Sequence, residues 1–227
     1  MIDLPLSPLN AILDHDAARE AGWALPDLAR AALAGGARFL QVRAKSLAGG
    51  AYLAACDEVV ALARPYGALV VVNDRADLAL MSGAGGVHLG QDDLSPADAR
   101  ALLGDRAVVG LSTHSLDQAR RALALPIDYL AVGPVFGTTT KETGYGAVGL
   151  ELIRAVGALV ERAPHAGRPP LPIVAIGGIT LDRARRAIEA GAASVAVISD
   201  LLATGSPGER VRNYLDELSS ARPDRQA

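Results

Sequence analysis

The sequence predicts an α/β protein in which parallel strands alternate with helices. Short runs of β-branched and apolar residues recur along the 227 residues, and longer segments rich in Ala, Leu and Arg follow them. Glycines such as Gly104 and Gly191 follow helical segments, where they can end a helix. About eight such repeats with right-handed crossovers close naturally, so we predict a single-domain (β/α)8 TIM barrel. A doubly wound open sheet is the alternative, but no dinucleotide-binding GxGxxG follows the first strand.

The eight candidate strands are the short apolar runs at 11–13, 39–42, 69–72, 86–89, 108–111, 129–132, 173–176 and 195–198. Helical patterns lie near 17–34, 47–64, 75–82, 95–103, 115–124, 149–162, 181–190 and 207–218. Ser95 can cap a helix that begins at Pro96, and Ser115 and Thr180 can cap in the same way. No linker divides the chain, so we expect one domain over 1–218 and a disordered tail over 219–227.

The overall composition argues against several classes of partner. The net charge is −3 and aromatic residues make up 4%, which disfavours general attraction to nucleic acid and an aromatic surface for stacking bases. Cys56 is the single cysteine, so no internal disulfide can form, which fits a reducing compartment. Neither a signal-peptide pattern nor an apolar run of the ~20 residues that span a membrane is present. We expect a cytoplasmic protein without nucleic-acid or membrane partners, and the composition is compatible with a homo-oligomer.

Polar side chains at the end of the second strand predict an anion-binding site. In barrels of this kind, chemistry takes place where strands end and the following loops begin. The strand ends in Gln41, Val42, Arg43, Ala44 and Lys45. Alternation brings Gln41, Arg43 and Lys45 to the same side, and an amide with two cations suits a diphosphate. A solvated cluster of charges is the alternative interpretation.

The third and fourth strands are followed by carboxylates. Asn73 and Asp74 come directly after an apolar run, and Asp93 follows the next strand. Two carboxylates, together with substrate phosphates and water, form a typical Mg²⁺ site. Asp74 could instead cap a helix, and the pair could act in general acid–base catalysis. His88 lies inside the fourth strand, where we expect a buried, hydrogen-bonded histidine rather than a catalytic base.

The remaining strand ends carry groups that can bind phosphate. Ser112 can donate to a phosphate or begin a helical turn, and no GxSxG surrounds it to indicate a nucleophile. Gly178 follows the seventh strand, Ile198 ends the eighth and Ser199 follows it, at the positions where barrels commonly bind phosphate. The loop after the sixth strand, which could close over a substrate, carries hydroxyls and a cation: Thr138, Thr139, Thr140 and Lys141.

Six segments together resemble the thiamine phosphate synthase (thiamine-phosphate pyrophosphorylase) family. They are QVRAK at 41–45, VVNDRADLAL at 71–80, GVHLGQDDL at 86–94, GLSTH at 110–114, YLAVGPVFGTTTK at 129–141 and PIVAIGGI at 172–179. Each segment alone is modest evidence for the family, but the six segments in the family's order are specific to it. The resemblance implies a transferase that joins hydroxymethylpyrimidine diphosphate to a thiazole phosphate, or its carboxylated form, releasing pyrophosphate by a dissociative displacement.

The resemblance also implies the site residues. Asp74 and Asp93 would hold Mg²⁺. The pyrimidine diphosphate would be held by Gln41, Val42, Arg43, Ala44, Lys45, Asn73, Ser112 and Lys141, of which Arg43, Lys45, Ser112 and Lys141 would be catalytic. The thiazole phosphate would be held by Thr138, Thr139, Thr140, Gly178, Ile198 and Ser199.

Three rival functions stay open at this point. A thiazole tautomerase of the same superfamily would bind a thiazole phosphate without needing the residues assigned to the diphosphate. A non-catalytic sensor would bind a phosphorylated ligand without chemistry. Another phosphate-binding barrel, such as an isomerase of amino-acid biosynthesis, is the third.

Overall fold

Eight strands alternate with helices in the computed structural model, which describes residues 6–137, 146–164 and 169–221. The strands are β1 (Leu9–Asp14), β2 (Phe39–Arg43), β3 (Leu69–Asn73), β4 (Gly86–Leu89), β5 (Val108–Thr113), β6 (Tyr129–Val132), β7 (Ile173–Ile176) and β8 (Ser194–Val197). The α-helices are α1 (His15–Glu20), α2 (Leu25–Ala34), α3 (Gly49–Ala63), α4 (Ala76–Ser82), α5 (Pro96–Leu103), α6 (Leu116–Ala122), α7 (Gly149–Arg162), α8 (Leu181–Glu189) and α9 (Pro207–Ala221). Short 3₁₀ helices cover Arg64–Tyr66 and Ser199–Leu201.

The sheet closes in chain order and confirms the predicted TIM barrel. Each strand pairs in parallel with the next, and β1 pairs with β8. The helical pattern predicted over 17–34 forms two helices instead of one, because Gly22 adopts φ 79° between α1 and α2. The last helix continues through residues 219–221, which we expected in the tail, and 222–227 lie outside the described residues. Within the described ranges, no helix combines the length and apolarity needed to cross a membrane.

Alternation along the strands divides the core into two parts. Outward-facing side chains such as Leu40 and Val87 pack against the surrounding helices. Inward-facing Phe39, Val71 and Tyr129 belong to a separate apolar cluster along the barrel axis. The Phe39 and Tyr129 rings meet edge to face, with 5.7 Å between their centroids. The axis is thus filled by side chains, and the open space lies above them at the carboxyl ends of the strands.

Replacing Gly110 by alanine is expected to lower the free energy of unfolding by about 1–3 kcal/mol. A Cβ at this inward-facing position of β5 would overlap the ring of Tyr129, which is fully buried. Urea denaturation measures the change. Gly157→Ala is the matched control, because nothing lies within 4 Å of its Cβ position in α7. That control should raise the stability by about 0.5–1 kcal/mol, and equal stability of both variants would contradict the packing argument.

Candidate active site

A pocket of about 500 Å³ opens at the carboxyl ends of the strands. Its walls come from β2 through β8 and the loops that follow them. Among the described residues, the lining consists of Arg43, Lys45, Asn73, Asp74, His88, Gly90, Gln91, Asp92, Asp93, Ser112, His114, Gly133, Pro134, Ile176, Gly177, Gly178, Ile179, Ala196, Val197, Ile198 and Ser199. The pocket therefore brings together predicted groups that are more than a hundred positions apart in the sequence.

Arg43 enters the pocket from the end of β2 in a fixed orientation. Its Nη1 contacts Oδ2 of Asp14, the last residue of β1, and the exposed fractions of the two side chains are 13% and 5%. The other oxygen of Asp14, Oδ1, accepts a hydrogen bond from the backbone N–H of Ala17 at 3.0 Å and caps α1. Because Asp14 is itself held by the helix, the Arg43 guanidinium is anchored beside the pocket.

Lys45, Asp74 and Asp93 form a charged cluster on the same wall. Lys45 Nζ lies 3.0 Å from Asp74 Oδ2, and the backbone N–H of Gly90 donates to Asp93 Oδ2 at 2.6 Å. Partial burial raises the pKa of Asp93, as do the nearby charge of Asp74 and a hydrogen bond between the two side chains. The hydrogen bond from the Gly90 N–H and the positive charge of Lys45 lower the pKa of Asp93. The two carboxylates are thus close enough to repel each other.

Asp74 has an unusual backbone conformation. Among the described residues other than glycine, Asp74 alone has a positive φ, which is 65°. Its backbone N–H donates to the carbonyl of His88 at 2.8 Å, which ties the end of β3 to β4. Such a conformation is uncommon outside glycine and is typically maintained at functional sites by the surrounding structure.

The charges of the lining fit a divalent cation at this wall. The described lining contains the carboxylates of Asp74, Asp92 and Asp93 against the cations of Arg43 and Lys45. A diphosphate alone would face excess negative charge, whereas a hard cation bound by carboxylate oxygens would reverse it. Residues 6–137, 146–164 and 169–221 contain no group of three or more His, Cys, Asp or Glu side chains able to hold a metal.

Three of the residues predicted at the end of β2 do not line the pocket with their side chains. Val42 and Ala44 are buried in the core between the barrel wall and the helices, so only their backbone atoms could reach a ligand. Gln41 faces inward but is 1% exposed, beneath the pocket. Its Oε1 has no hydrogen-bond partner in the described structure.

Tyr52 holds the ends of two strands together behind this wall. Its hydroxyl lies 2.8 Å from the carbonyl oxygen of Val42 and 3.0 Å from that of Asn73. Burial raises the pKa of Tyr52, so the hydroxyl keeps its hydrogen and can donate to these acceptors. The carbonyls directly precede Arg43 and Asp74 in the chain, so this contact fixes the spacing between the cationic and acidic groups.

Polar groups of β4 and β5 form the middle of the pocket. His88 is 3% exposed, which confirms the expectation of a buried, hydrogen-bonded histidine. Its Nε2 lies 2.8 Å from Ser112 Oγ, and Gln91 Nε2 donates to the Ser112 carbonyl at 2.6 Å. Nearby, His114 Nδ1 lies 2.6 Å from the Gly133 carbonyl oxygen. Ser112 thus lies at the pocket surface with its backbone and side chain both held.

The opposite wall is built from the turns after β7 and β8. Gly177 and Gly178 have φ values of 94° and 63°. A Cβ on Gly178 would lie 2.5 Å from the Gly137 carbonyl oxygen, and one on Gly177 would lie 2.5 Å from Pro134 Cα. Glycine is required here by both conformation and space. The turn thereby exposes backbone to the pocket, as an anion site requires.

Ser199 lies next to these glycines at the start of a 3₁₀ helix. The helix is anchored from behind by Asp200, whose carboxylate accepts two hydrogen bonds from Arg210 Nη2, at 2.8 and 3.0 Å. The Tyr214 hydroxyl donates to the same carboxylate. Burial and the Asp200 carboxylate raise the pKa of Tyr214, which keeps this donor protonated. Both anchoring residues belong to α9, so the last helix positions the turn that carries Ser199.

The structure places the predicted residues as follows. Arg43, Lys45, Asn73, Asp74, Asp93, Ser112, Gly178, Ile198 and Ser199 line one pocket. Thr138, Thr139, Thr140 and Lys141 lie outside the described residues. Sequence reasoning missed Asp14, Gln91 and His114. Asp14 ends β1, so the rule that selected the other strand ends could have found it, whereas nothing in the sequence marks the contacts of Gln91 and His114.

Comparisons with known proteins identify the family of the chain. A family model described as "Thiamine monophosphate synthase" matches residues 9–201. A thiamine-phosphate synthase of Koribacter versatilis is 42% identical over 219 residues, which cover 96% of this chain and 98% of the relative. A thiamine biosynthesis bifunctional protein of Symbiobacterium thermophilum is 43% identical over 197 residues. That match covers 87% of this chain but 39% of the relative, so the chain spans about two fifths of that longer protein.

A solved structure extends the similarity to the fold. The thiamine phosphate pyrophosphorylase of Pyrococcus furiosus superposes with a TM-score of 0.81 at 30% identity. The match covers 96% of this chain and 98% of that one. With the family model matching most of the sequence, these findings show that the chain belongs to the thiamine monophosphate synthase family.

Proposed function

We propose that this protein is a thiamine-phosphate synthase, which joins hydroxymethylpyrimidine diphosphate to a thiazole phosphate and releases pyrophosphate. The observation that carries the proposal is that two walls of one pocket carry different groups suited to binding an anion. One wall has Arg43 and Lys45 beside two carboxylates, and the other has Gly178 and Ser199. A bisubstrate reaction between two phosphorylated molecules needs both walls to face one space.

The chemistry of the substrates determines what the protein must supply. The thiazole nitrogen already has a lone pair, so no protein base is needed to activate it. The bond between the pyrimidine methylene carbon and the diphosphate oxygen breaks, and its electron pair leaves with the diphosphate. The electron-rich aminopyrimidine can carry the resulting cation until the thiazole nitrogen forms the new C–N bond. The protein therefore contributes charge at the departing oxygen and positioning of the two reactants.

The positions of the two described cations support that role. Arg43 is held against Asp14 at the pocket wall, and Lys45 lies beside Asp74. We assign Asn73 and Ser112 to the same diphosphate, and Lys141 as a third cation on the grounds of sequence. Gly178, Ile198 and Ser199, with Thr138, Thr139 and Thr140, are assigned to the thiazole phosphate.

We also propose Mg²⁺ as the cofactor, held by Asp74 and Asp93. The support is the closeness of the two carboxylates and the excess of negative charge in the described lining. When bound, Mg²⁺ would supply positive charge beside the departing diphosphate. The protein's part is to fix the two carboxylates, through the β3–β4 contact at Asp74 and the Gly90 N–H at Asp93.

A pyrophosphate-release assay with both substrates and Mg²⁺ tests the proposal. The synthase releases pyrophosphate and forms thiamine phosphate only when both substrates are present. A thiazole tautomerase would change the thiazole phosphate alone, and a sensor would bind ligands without product. The cationic and acidic wall favours the synthase, because a tautomerase has no diphosphate to stabilise. Absence of pyrophosphate under these conditions would rule the synthase out.

Replacing Arg210 by methionine is expected to raise the KM for the thiazole phosphate about tenfold, with little change in the KM for the pyrimidine diphosphate. Arg210 anchors Asp200 directly behind Ser199, on the wall assigned to the thiazole phosphate. Steady-state kinetics with each substrate varied in turn measure the effect. Arg212→Met on the exposed face of α9 is the control and should leave both constants unchanged. Equal changes in both constants would contradict a local role.

We also propose a cytoplasmic location, on the grounds of sequence. A net charge of −3 and a single cysteine support a cytoplasmic enzyme whose partners are small phosphorylated molecules rather than nucleic acid or membrane.

A further inference from the structure

A buried chain of three side chains connects the pocket to the barrel axis. Ser112 Oγ lies 2.8 Å from His88 Nε2, and His88 Nδ1 lies 2.8 Å from the Tyr129 hydroxyl. The His88 and Tyr129 rings stack with an interplanar angle of 17°. Tyr129 is fully buried, and the absent side chain at Gly110 leaves the space that its ring fills. Polar groups buried this far from solvent have to find their hydrogen-bond partners within the protein.

The Tyr129 hydroxyl sets the direction of this chain. Burial raises the pKa of Tyr129, and the Asp128 carboxylate adds to the effect, so the phenol keeps its hydrogen. Within the described parts of the chain, His88 Nδ1 is the acceptor that this hydroxyl reaches. A buried O–H without an acceptor is costly, so Tyr129 donates to Nδ1. A neutral imidazole carries one N–H, which therefore lies on Nε2.

This tautomer determines what Ser112 presents to the pocket. His88 Nε2–H donates to Ser112 Oγ, which uses a lone pair of the serine and leaves its own hydrogen available. Ser112 can then donate that hydrogen to a group in the pocket. In the reversed chain, Ser112 would donate to His88 and present only lone pairs, which repel an anionic oxygen.

We propose that His88 and Tyr129 are positioning residues that act through Ser112, making its hydroxyl a hydrogen-bond donor to a phosphate oxygen. The identity of that ligand as the diphosphate rests on the proposed function, whereas the direction of the chain is a property of the protein alone. Tyr129 is not among the residues that line the pocket, so its effect on a ligand passes through the other two side chains.

The first test reads the tautomer directly. In protein labelled with ¹⁵N-histidine, NMR distinguishes a protonated ring nitrogen from an unprotonated one. We expect His88 to carry its hydrogen on Nε2, with its signals assigned by their loss in His88→Gln. A hydrogen on Nδ1 in the wild-type protein would overturn the inference, whatever reaction the enzyme catalyses.

The second test is a double-mutant cycle on the binding of inorganic pyrophosphate with Mg²⁺, measured by calorimetry. We expect Ser112→Ala to weaken binding roughly tenfold and Tyr129→Phe by roughly threefold to tenfold. Because Tyr129 acts through Ser112, the double variant should bind no more weakly than Ser112→Ala alone. Tyr66→Phe, at a surface tyrosine, is the matched control and should have no effect.

The outcomes separate the inference from the proposed function. If Tyr129→Phe weakens binding equally with and without Ser112, its role is structural and the inference is overturned. Absence of pyrophosphate binding by the wild-type protein would overturn it as well. Failure of the proposed function alone would give normal binding and the expected tautomer, but no pyrophosphate release from the two substrates.

Discussion

Replacing Asp93 by alanine is expected to lower kcat by roughly 10²–10³-fold while leaving the fold intact. Asp93 is half of the proposed Mg²⁺ pair, and its carboxylate accepts the Gly90 N–H at the pocket wall. Without it, one carboxylate is left to hold the cation that balances the departing diphosphate. Steady-state pyrophosphate release over a range of Mg²⁺ concentrations measures the loss, and circular dichroism checks the fold.

Two further variants make this result interpretable. Asp105→Ala removes an exposed carboxylate from the loop between α5 and β5, at the opposite end of the barrel, and should leave kcat unchanged. Lys141→Ala should reduce kcat by a similar factor, since Lys141 is the proposed third cation. Near-wild-type rates from both Asp93→Ala and Lys141→Ala would refute the assignment of the site.

Replacing Arg43 by alanine is expected to reduce both stability and activity. The Arg43–Asp14 pair is largely buried, so removing one partner leaves the other charge without compensation. We expect the free energy of unfolding to fall by about 3–5 kcal/mol. We also expect kcat/KM to fall by at least roughly 10²-fold, because the proposed preorganised contact between Arg43 and the departing diphosphate is lost. Urea denaturation and pyrophosphate release measure the two quantities.

A double variant separates these two effects. Asp14→Asn combined with Arg43→Gln removes both charges, and asparagine can still cap α1, so much of the stability should return. Activity should stay low, because the guanidinium is absent. As a control, Arg30→Ala breaks an exposed pair with Asp27 and should cost less than about 1 kcal/mol. Recovery of activity in the double variant would contradict a role for Arg43 in the reaction.

The fold was predictable because barrel strands carry a strong local signal. Each of the eight predicted strands is present, since short β-branched runs separated by helical segments admit few arrangements. The break between α1 and α2 was missed, because Gly22 can lie inside a helical pattern as well as end one. Local pattern thus determines the kind of each element more firmly than its boundaries.

The wall residues were predictable to the extent that they follow strands directly. The ends of β2, β3 and β4 led to Arg43, Lys45, Asp74 and Asp93, all of which line the pocket. The contacts that orient the pocket residues were not predictable, even where the strand-end rule could have found the partner, because the two residues of each contact lie far apart in the chain. Asp14 is 29 positions from Arg43, and Tyr129 is 41 positions from His88. Such pairings depend on strand register, which the sequence does not display.

The left-handed backbone of Asp74 has a practical consequence for mutagenesis. At φ 65°, an alanine would combine loss of the carboxylate with a backbone penalty, so an alanine scan would exaggerate the side chain's importance. Asparagine tolerates this region well and differs from aspartate mainly in charge, which makes Asp74→Asn the clean probe. Glycine at this position would relieve the backbone penalty but would remove every side-chain contact. Comparing the activities of the asparagine and glycine variants would show how much of any loss of activity comes from the backbone conformation.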